Sequence, residues 1–171
     1  MRYYLIIAAI IIADQAVKKA VTQGMALNET IPLIDEVFHL TYIRNTGAAF
    51  SLMEGFRGLL VLLPAVLIAA AMVYMFVKRK MAHPSLLLSL AFIAGGGIGN
   101  LIDRTCQGYV VDYLDFRVFP VFNVADIFVC LGCGLLIVYI LFFDGKEKQG
   151  NEQKKEQQKE KQHGKGNHLP S

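Results

Sequence analysis

The chain has 171 residues, 54% of them hydrophobic, with a mean hydropathy of +0.43 and a formal net charge of +3. That is too apolar for a soluble domain of this length and places the chain in the membrane class, as one compact unit. Its basic residues gather at the ends of apolar runs and in the C-terminal tail, so the expected partner is a phospholipid bilayer and not nucleic acid. Three cysteines, Cys106, Cys130 and Cys133, two of them inside an apolar run, argue against a disulfide framework.

In chain order, residues 3 to about 21 form a first apolar run long enough to cross a hydrocarbon core at about 1.5 Å per residue. A cleaved signal peptide is disfavoured, because Asp14, Lys18 and Lys19 stand where a cleavage site wants small neutral residues. Asp14 and Lys18 share a helix face at i and i+4, either as a salt bridge that lets both charges tolerate low dielectric or as the lining of a polar pocket, and both can hold together. Residues 24–58 are less apolar. Runs at 30–34 and 37–44 alternate β-formers around a turn near Asp35 and Glu36, which predicts a small hairpin or sheet on the membrane surface. It leads into Asn45-Thr-Gly-Ala-Ala-Phe-Ser51, whose small residues allow close backbone approach and whose Asn45 and Ser51 offer hydrogen-bonding groups; alone, the stretch also reads as a turn into the next element.

Residues 59–77 make a second span, tolerant of Pro64, and 85–104 a third. The loop between them begins with Lys78-Arg-Lys80, which marks that side as cytoplasmic by the positive-inside rule. Gly95, Gly96, Gly97 and Gly99 predict close helix packing within the third span. Asn100, Asp103 and Arg104 follow at i, i+3 and i+4; Asp103 with Arg104 reads as an ion pair at the headgroups. Residues 107–120 read as an extracytoplasmic connection, and 122–143 as the fourth span. Asn123 with Asp126 three residues on reads equally as a helix cap and as the place of a functional carboxylate. From residue 144 the composition turns to Lys, Glu, Gln, Gly and Asn, which predicts a disordered cytoplasmic tail.

The four spans impose a geometry. The end of the first, the first connection, the end of the third and the start of the fourth all face one side, and they carry Asp14, Lys18, Asn45, Asn100, Asp103, Arg104, Asp112, Asn123 and Asp126. With the basic loop cytoplasmic, this cluster is extracytoplasmic and both termini are cytoplasmic. The histidines lack metal-ligand spacing, so no metal and no cofactor is expected. Ser51 has only His39 or Lys18 as a base and no nucleophile elbow. Paired carboxylates remain, with Asp112 and Asp126 as the candidates: close together in low dielectric they share one proton, and the ionised member can activate a water. Rival readings are a non-enzymatic four-span transporter or assembly factor, and a peptidase using Ser51 with Lys18.

These residues resemble the lipoprotein signal peptidase family (signal peptidase II), membrane aspartyl peptidases. The resemblance runs through Asp14-Gln15-x-x-Lys18, Asn45-x-Gly47-x-Ala49-Phe50-Ser51, Gly95-Gly-Gly-Ile-Gly99-Asn100-Leu-Ile-Asp103-Arg104, Val111-Asp112-Tyr113 and Phe122-Asn123-x-Ala125-Asp126, departing only at Gly97, where alanine is common, and Tyr113, where phenylalanine is common. It implies a mainly α membrane protein of four transmembrane helices with a small extracytoplasmic β-hairpin cradle, in a peptidase domain over 1–143. It implies Asp112 and Asp126 as the catalytic pair, with Asp14, Lys18, Asn45, Gly47, Asn100, Arg104 and Asn123 in substrate binding or support. It further implies a monomer in the bacterial cytoplasmic membrane that cuts diacylglyceryl-modified prolipoproteins on the amino side of the lipid-bearing cysteine and is inhibited by globomycin-type cyclic peptides.

Overall fold

A computed structural model describes residues 1–47 and 57–144. Ala49, Phe50 and Ser51, the later part of the expected cradle, and the tail from residue 145 lie outside the described residues. Four long helices and three strands follow in the order α1 (Arg2–Gly24), β1 (Thr30–Ile34), β2 (Phe38–Asn45), α2 (Arg57–Lys78), α3 (Pro84–Gln107), β3 (Val110–Asp115) and α4 (Val124–Tyr139), with a π-helical turn over Ile140–Asp144. Among the described residues three stretches, Gly58–Lys78, Pro84–Gln107 and Val124–Phe143, are long and apolar enough to cross a membrane, so the chain is a multi-pass membrane protein. Helix α1 has comparable length but carries Arg2, Asp14, Lys18 and Lys19.

Helix α3 packs against α1, α2 and α4 and is the axis of the bundle. Its start is set by His83, whose Nδ1 accepts from the Ser85 amide at 3.3 Å, with Pro84 in the first turn; Gly108 closes it in the left-handed region at φ 79°. Small residues let its neighbours close in. A Cβ on Gly96 would run into the Ala125 carbonyl of α4, and one on Gly99 would stand 2.5 Å from Asp14 Oδ2, so α1 and α4 both reach α3 only because these positions lack side chains. The apolar core at the α1–α2–α3 contact consists of Ile7, Ile68, Met75, Leu87, Ala91 and Ala94.

The strands form one antiparallel sheet in the order β1-β2-β3. The β1–β2 hairpin turns at Asp35 and Glu36 as its alternation predicts, Glu36 taking φ 59°. Strand β3 is a correction to the sequence reading, which treated 107–120 as a plain connection. Val110 to Asp115 pairs with β2, and five of its six residues are buried. The chain then turns at once: the Asp115 Oδ1 accepts from the Arg117 amide at 2.8 Å, Arg117 sits at φ 63°, and Phe122 returns to pair with Leu114. That short reversal delivers Asn123, the first cap of α4, back beside Asp112.

Candidate active site

Asn123 joins the two candidate acids. As the N-cap of α4, its side chain accepts from the Asp126 amide at 3.0 Å while the Asp126 carboxylate accepts from the Asn123 amide at 3.2 Å, a reciprocal capping box. The Nδ2 of the same asparagine donates to Asp112 Oδ1 at 2.6 Å and to Asn100 Oδ1 at 3.1 Å. The capping reading left open by the spacing is therefore realised: the cap aims Asp126, and the amide left over reaches Asp112.

Each acid holds one further amide, and each amide is oriented from behind. Asn45 Nδ2 donates to Asp112 Oδ2 at 2.9 Å, and its own oxygen accepts from the Gly47 amide at 2.8 Å, which fixes which end of the side chain faces the acid. Gly47 has φ 83°, and a Cβ there would lie 2.8 Å from Leu60, so glycine is required on two counts. Asn100 Nδ2 donates to Asp126 Oδ1 at 2.7 Å, and its oxygen accepts from Lys18 Nζ at 2.9 Å. No cation is ion-paired with Asp112 or Asp126 among the described residues.

Asp112 is 1% exposed. Burial pushes its carboxyl up to about 6, the amide donors of Asn45 and Asn123 pull against that rise, and the nearby Asp126 charge adds to it. Asp126 is half-buried and lines an apolar cavity of about 580 Å³ formed with Phe116, Val118, Phe119, Phe122, Ile127, Cys130 and Leu131. One acid is thus enclosed in protein, and the other opens towards an apolar recess.

Asp14 and Lys18 do form the salt bridge their spacing allows, at 2.8 Å, but the network is larger than the sequence suggested. Lys18 also pairs with Asp103 at 2.9 Å, and all three side chains are buried. Asp14 Oδ1 accepts from the Ala125 amide at 3.0 Å and Asp103 Oδ2 from the Val111 amide at 3.2 Å, tying α1 and α3 to the residues beside each candidate acid. Gln15 donates to Asp14, Asp103 and the Gly99 carbonyl at 3.1 to 3.2 Å. The expected Asp103–Arg104 headgroup pair is not formed. Successive helical residues point about 100° apart, so Asp103 turns inward to Lys18 while Arg104 turns to a separate cavity of about 140 Å³ with Asn45, Thr46, Leu60, Val61 and Gly108. Its guanidinium makes no ion pair among the described residues.

Gln15 and Asp103 were underread. The signal was present for Asp103, three residues after Asn100 and so on its face; its partner, Lys18 on another helix, was not visible in local spacing.

Helices long enough to cross a membrane, with a cluster of acids and amides gathered at one end, define a multi-pass membrane protein that carries a polar site. The comparisons narrow it. The profile of the signal peptidase (SPase) II family matches residues 6–142. A lipoprotein signal peptidase of Halothermothrix orenii is 46% identical over 137 residues, covering 80% of this chain and 93% of that one, and one of Brevibacillus brevis is 42% identical over 151 residues, covering 87% and 100%. A bacterial membrane enzyme solved by the in meso method at 1.9 Å resolution superposes with a TM-score of 0.76 at 28% identity, covering 84% of this chain and 94% of that chain. The chain belongs to the signal peptidase II family. It is a protease, and the transporter and assembly-factor readings are not favoured.

Proposed function

We propose that the chain is an aspartyl endopeptidase that removes the signal peptide from diacylglyceryl-modified prolipoproteins on the amino side of the lipid-bearing cysteine, with Asp112 and Asp126 as its catalytic pair. The observation that carries this is the pair itself: two acids from separate elements, joined through Asn123 and, among the described residues, given neutral amide donors and no cation. Such a pair retains one proton between its members, because burial and mutual repulsion oppose the loss of both. The ionised member takes a proton from water as it attacks the scissile carbonyl, while the protonated member donates to the carbonyl oxygen. As the C–N bond breaks, the proton taken from water passes to the leaving amine and a hydroxyl of the collapsing diol returns its proton to the other acid.

Asn123 and Asn100 hold the pair in register, Asn45 and Gly47 fix Asp112, and Asp14 and Lys18 brace the frame. Arg104, without an ion-pair partner among the described residues, supplies forked donors for substrate backbone or lipid oxygens. The apolar recess beside Asp126 suits a substrate that arrives with acyl chains. Helix α1 serves as a fourth span, its Asp14 and Lys18 paired with each other inside the bundle. The Lys78-Arg-Lys80 loop supports cytoplasmic termini and an extracytoplasmic site in the bacterial cytoplasmic membrane. The enzyme works as a monomer and is blocked by globomycin-type cyclic peptides.

The test is a gel-shift assay with a lipid-modified precursor. Asp112→Asn and Asp126→Asn each leave the precursor uncut while the protein stays folded in the membrane, and Ser51→Ala still cuts. Loss of cleavage in Ser51→Ala comparable to that in Asp112→Asn would return the mechanism to a serine.

A further inference from the structure

At the end of the bundle opposite the acids, a second polar assembly has no part in the peptidase chemistry. A cavity of about 400 Å³ is lined by Arg2, Tyr3 and Tyr4 at the start of α1, by Met75 near the end of α2 and by Arg79 and Lys80 in the turn that follows it, with Met1. Three cations, one from the start of α1 and two from the turn after α2, thus converge on one recess. No acid answers them: Arg2, Arg79 and Lys80 form no salt bridge among the described residues, and the first turn of α1 contains no Asp or Glu.

The recess is also shaped. Met75 is 2% exposed and gives it an apolar floor, while Tyr3 and Tyr4 are half-buried and pack against the core. The Tyr3 ring is held in place, its hydroxyl accepting from Arg2 at 2.9 Å and donating to the Pro84 carbonyl at 3.5 Å, and the Arg2 guanidinium lies 4.9 Å from the ring centre. Arg79 stands over Phe76 and donates to its carbonyl at 3.2 Å. Each arginine is therefore steered by an aromatic ring and keeps donors in its fork for a further acceptor.

We propose that this cavity binds the phosphate of an anionic phospholipid, with Arg2, Arg79 and Lys80 holding the headgroup and Tyr3, Tyr4 and Met75 the root of the lipid. An amphipathic ligand fits where a free anion does not, because the cations rim an apolar floor at the end of helices that cross a membrane. The C-terminal tail is the weaker occupant, since with seven lysines against five acids over 144–171 it is itself basic.

The full chain in nanodiscs of equal phosphatidylglycerol and phosphatidylcholine, released for native mass spectrometry, tests the site. Wild type retains phosphatidylglycerol over phosphatidylcholine by roughly tenfold or more, as expected for several basic side chains near one phosphate. The triple variant Arg2→Gln, Arg79→Gln, Lys80→Gln loses that preference while cutting a lipid-modified precursor at the wild-type rate in neutral lipid. Inorganic phosphate at the lipid's own concentration does not displace the lipid. Retention of the preference by the triple variant would place the lipid elsewhere and overturn the proposal; displacement by inorganic phosphate, or equal retention of the two lipids by wild type, would overturn it as well.

Discussion

Two sets of acids stand side by side in this molecule and are treated in opposite ways. Asp14 and Asp103 share Lys18 at 2.8 and 2.9 Å and receive backbone amides from the residues next to the candidate dyad. Asp112 and Asp126 receive no cation among the described residues and are held by asparagine amides. The first arrangement fixes charge and so favours structure; the second leaves a proton free to move, which is what an acid-base pair needs. Charge compensation thus separates the acids that hold the site together from those proposed to act in it, although all four are aspartates within one polar cluster.

The comparison is broken most severely at Asp112. Replacement by Asn should lower turnover by at least about a thousandfold, since it removes a group proposed to transfer protons in the transition state. Stability should move the other way. The Asp112 pKa of about 6 in the folded chain lies above its ordinary 3.8, so the folded state binds that proton more tightly than the unfolded chain. The resulting stabilisation is complete below about 3.8 and is lost as pH rises through about 6. At neutral pH the ionised Asp112 is a net cost of about 3 kcal/mol at the most, using about 1.36 kcal/mol per pKa unit. Thermal unfolding in micelles should therefore find Asp112→Asn no less stable than wild type at pH 7.5, and its advantage should shrink towards pH 4.

Lys18→Met sharpens the opposite half. It strands Asp14 and Asp103 in the interior without their cation, and breaking a buried pair in this way costs about 3–5 kcal/mol. The expected result is a large fall in unfolding temperature, with residual turnover in the fraction that remains folded. Arg104→Gln belongs to neither set: KM for the lipid-modified precursor should rise several-fold with the unfolding temperature nearly unchanged. Thr41→Val should do least. The Thr41 hydroxyl on β2 donates to Asp115 at the end of β3 at 2.7 Å, and its loss should cost about 1 kcal/mol and leave turnover intact.

Much of this architecture was legible because hydropathy and charge placement are local. Each expected membrane run falls on a helix whose ends differ from it by a few residues, and the hairpin turn at Asp35 and Glu36 followed from alternation. Strand β3 was missed because Val-Val-Asp-Tyr-Leu-Asp mixes apolar and acidic residues in six positions, and its pairing partner lies far back along the chain, where Asn45 meets Val110. Asp103 was misassigned for a related reason. Its neighbour Arg104 is adjacent in sequence but turned away in space, whereas Lys18 is distant in sequence and 2.9 Å away. The cluster of acids and amides could be anticipated from span ends alone, but which acid meets a cation and which meets an amide is decided by tertiary packing.

The dependence of kcat/KM on pH for a diacylglyceryl-modified precursor tests the shared proton most directly, because it reports the ionisations of the free enzyme. An alkaline limb is expected where Asp112 gives up its proton, beginning at about 6, above the ordinary carboxyl range. A profile that stays level across the carboxyl range and beyond it would contradict a proton held between Asp112 and Asp126.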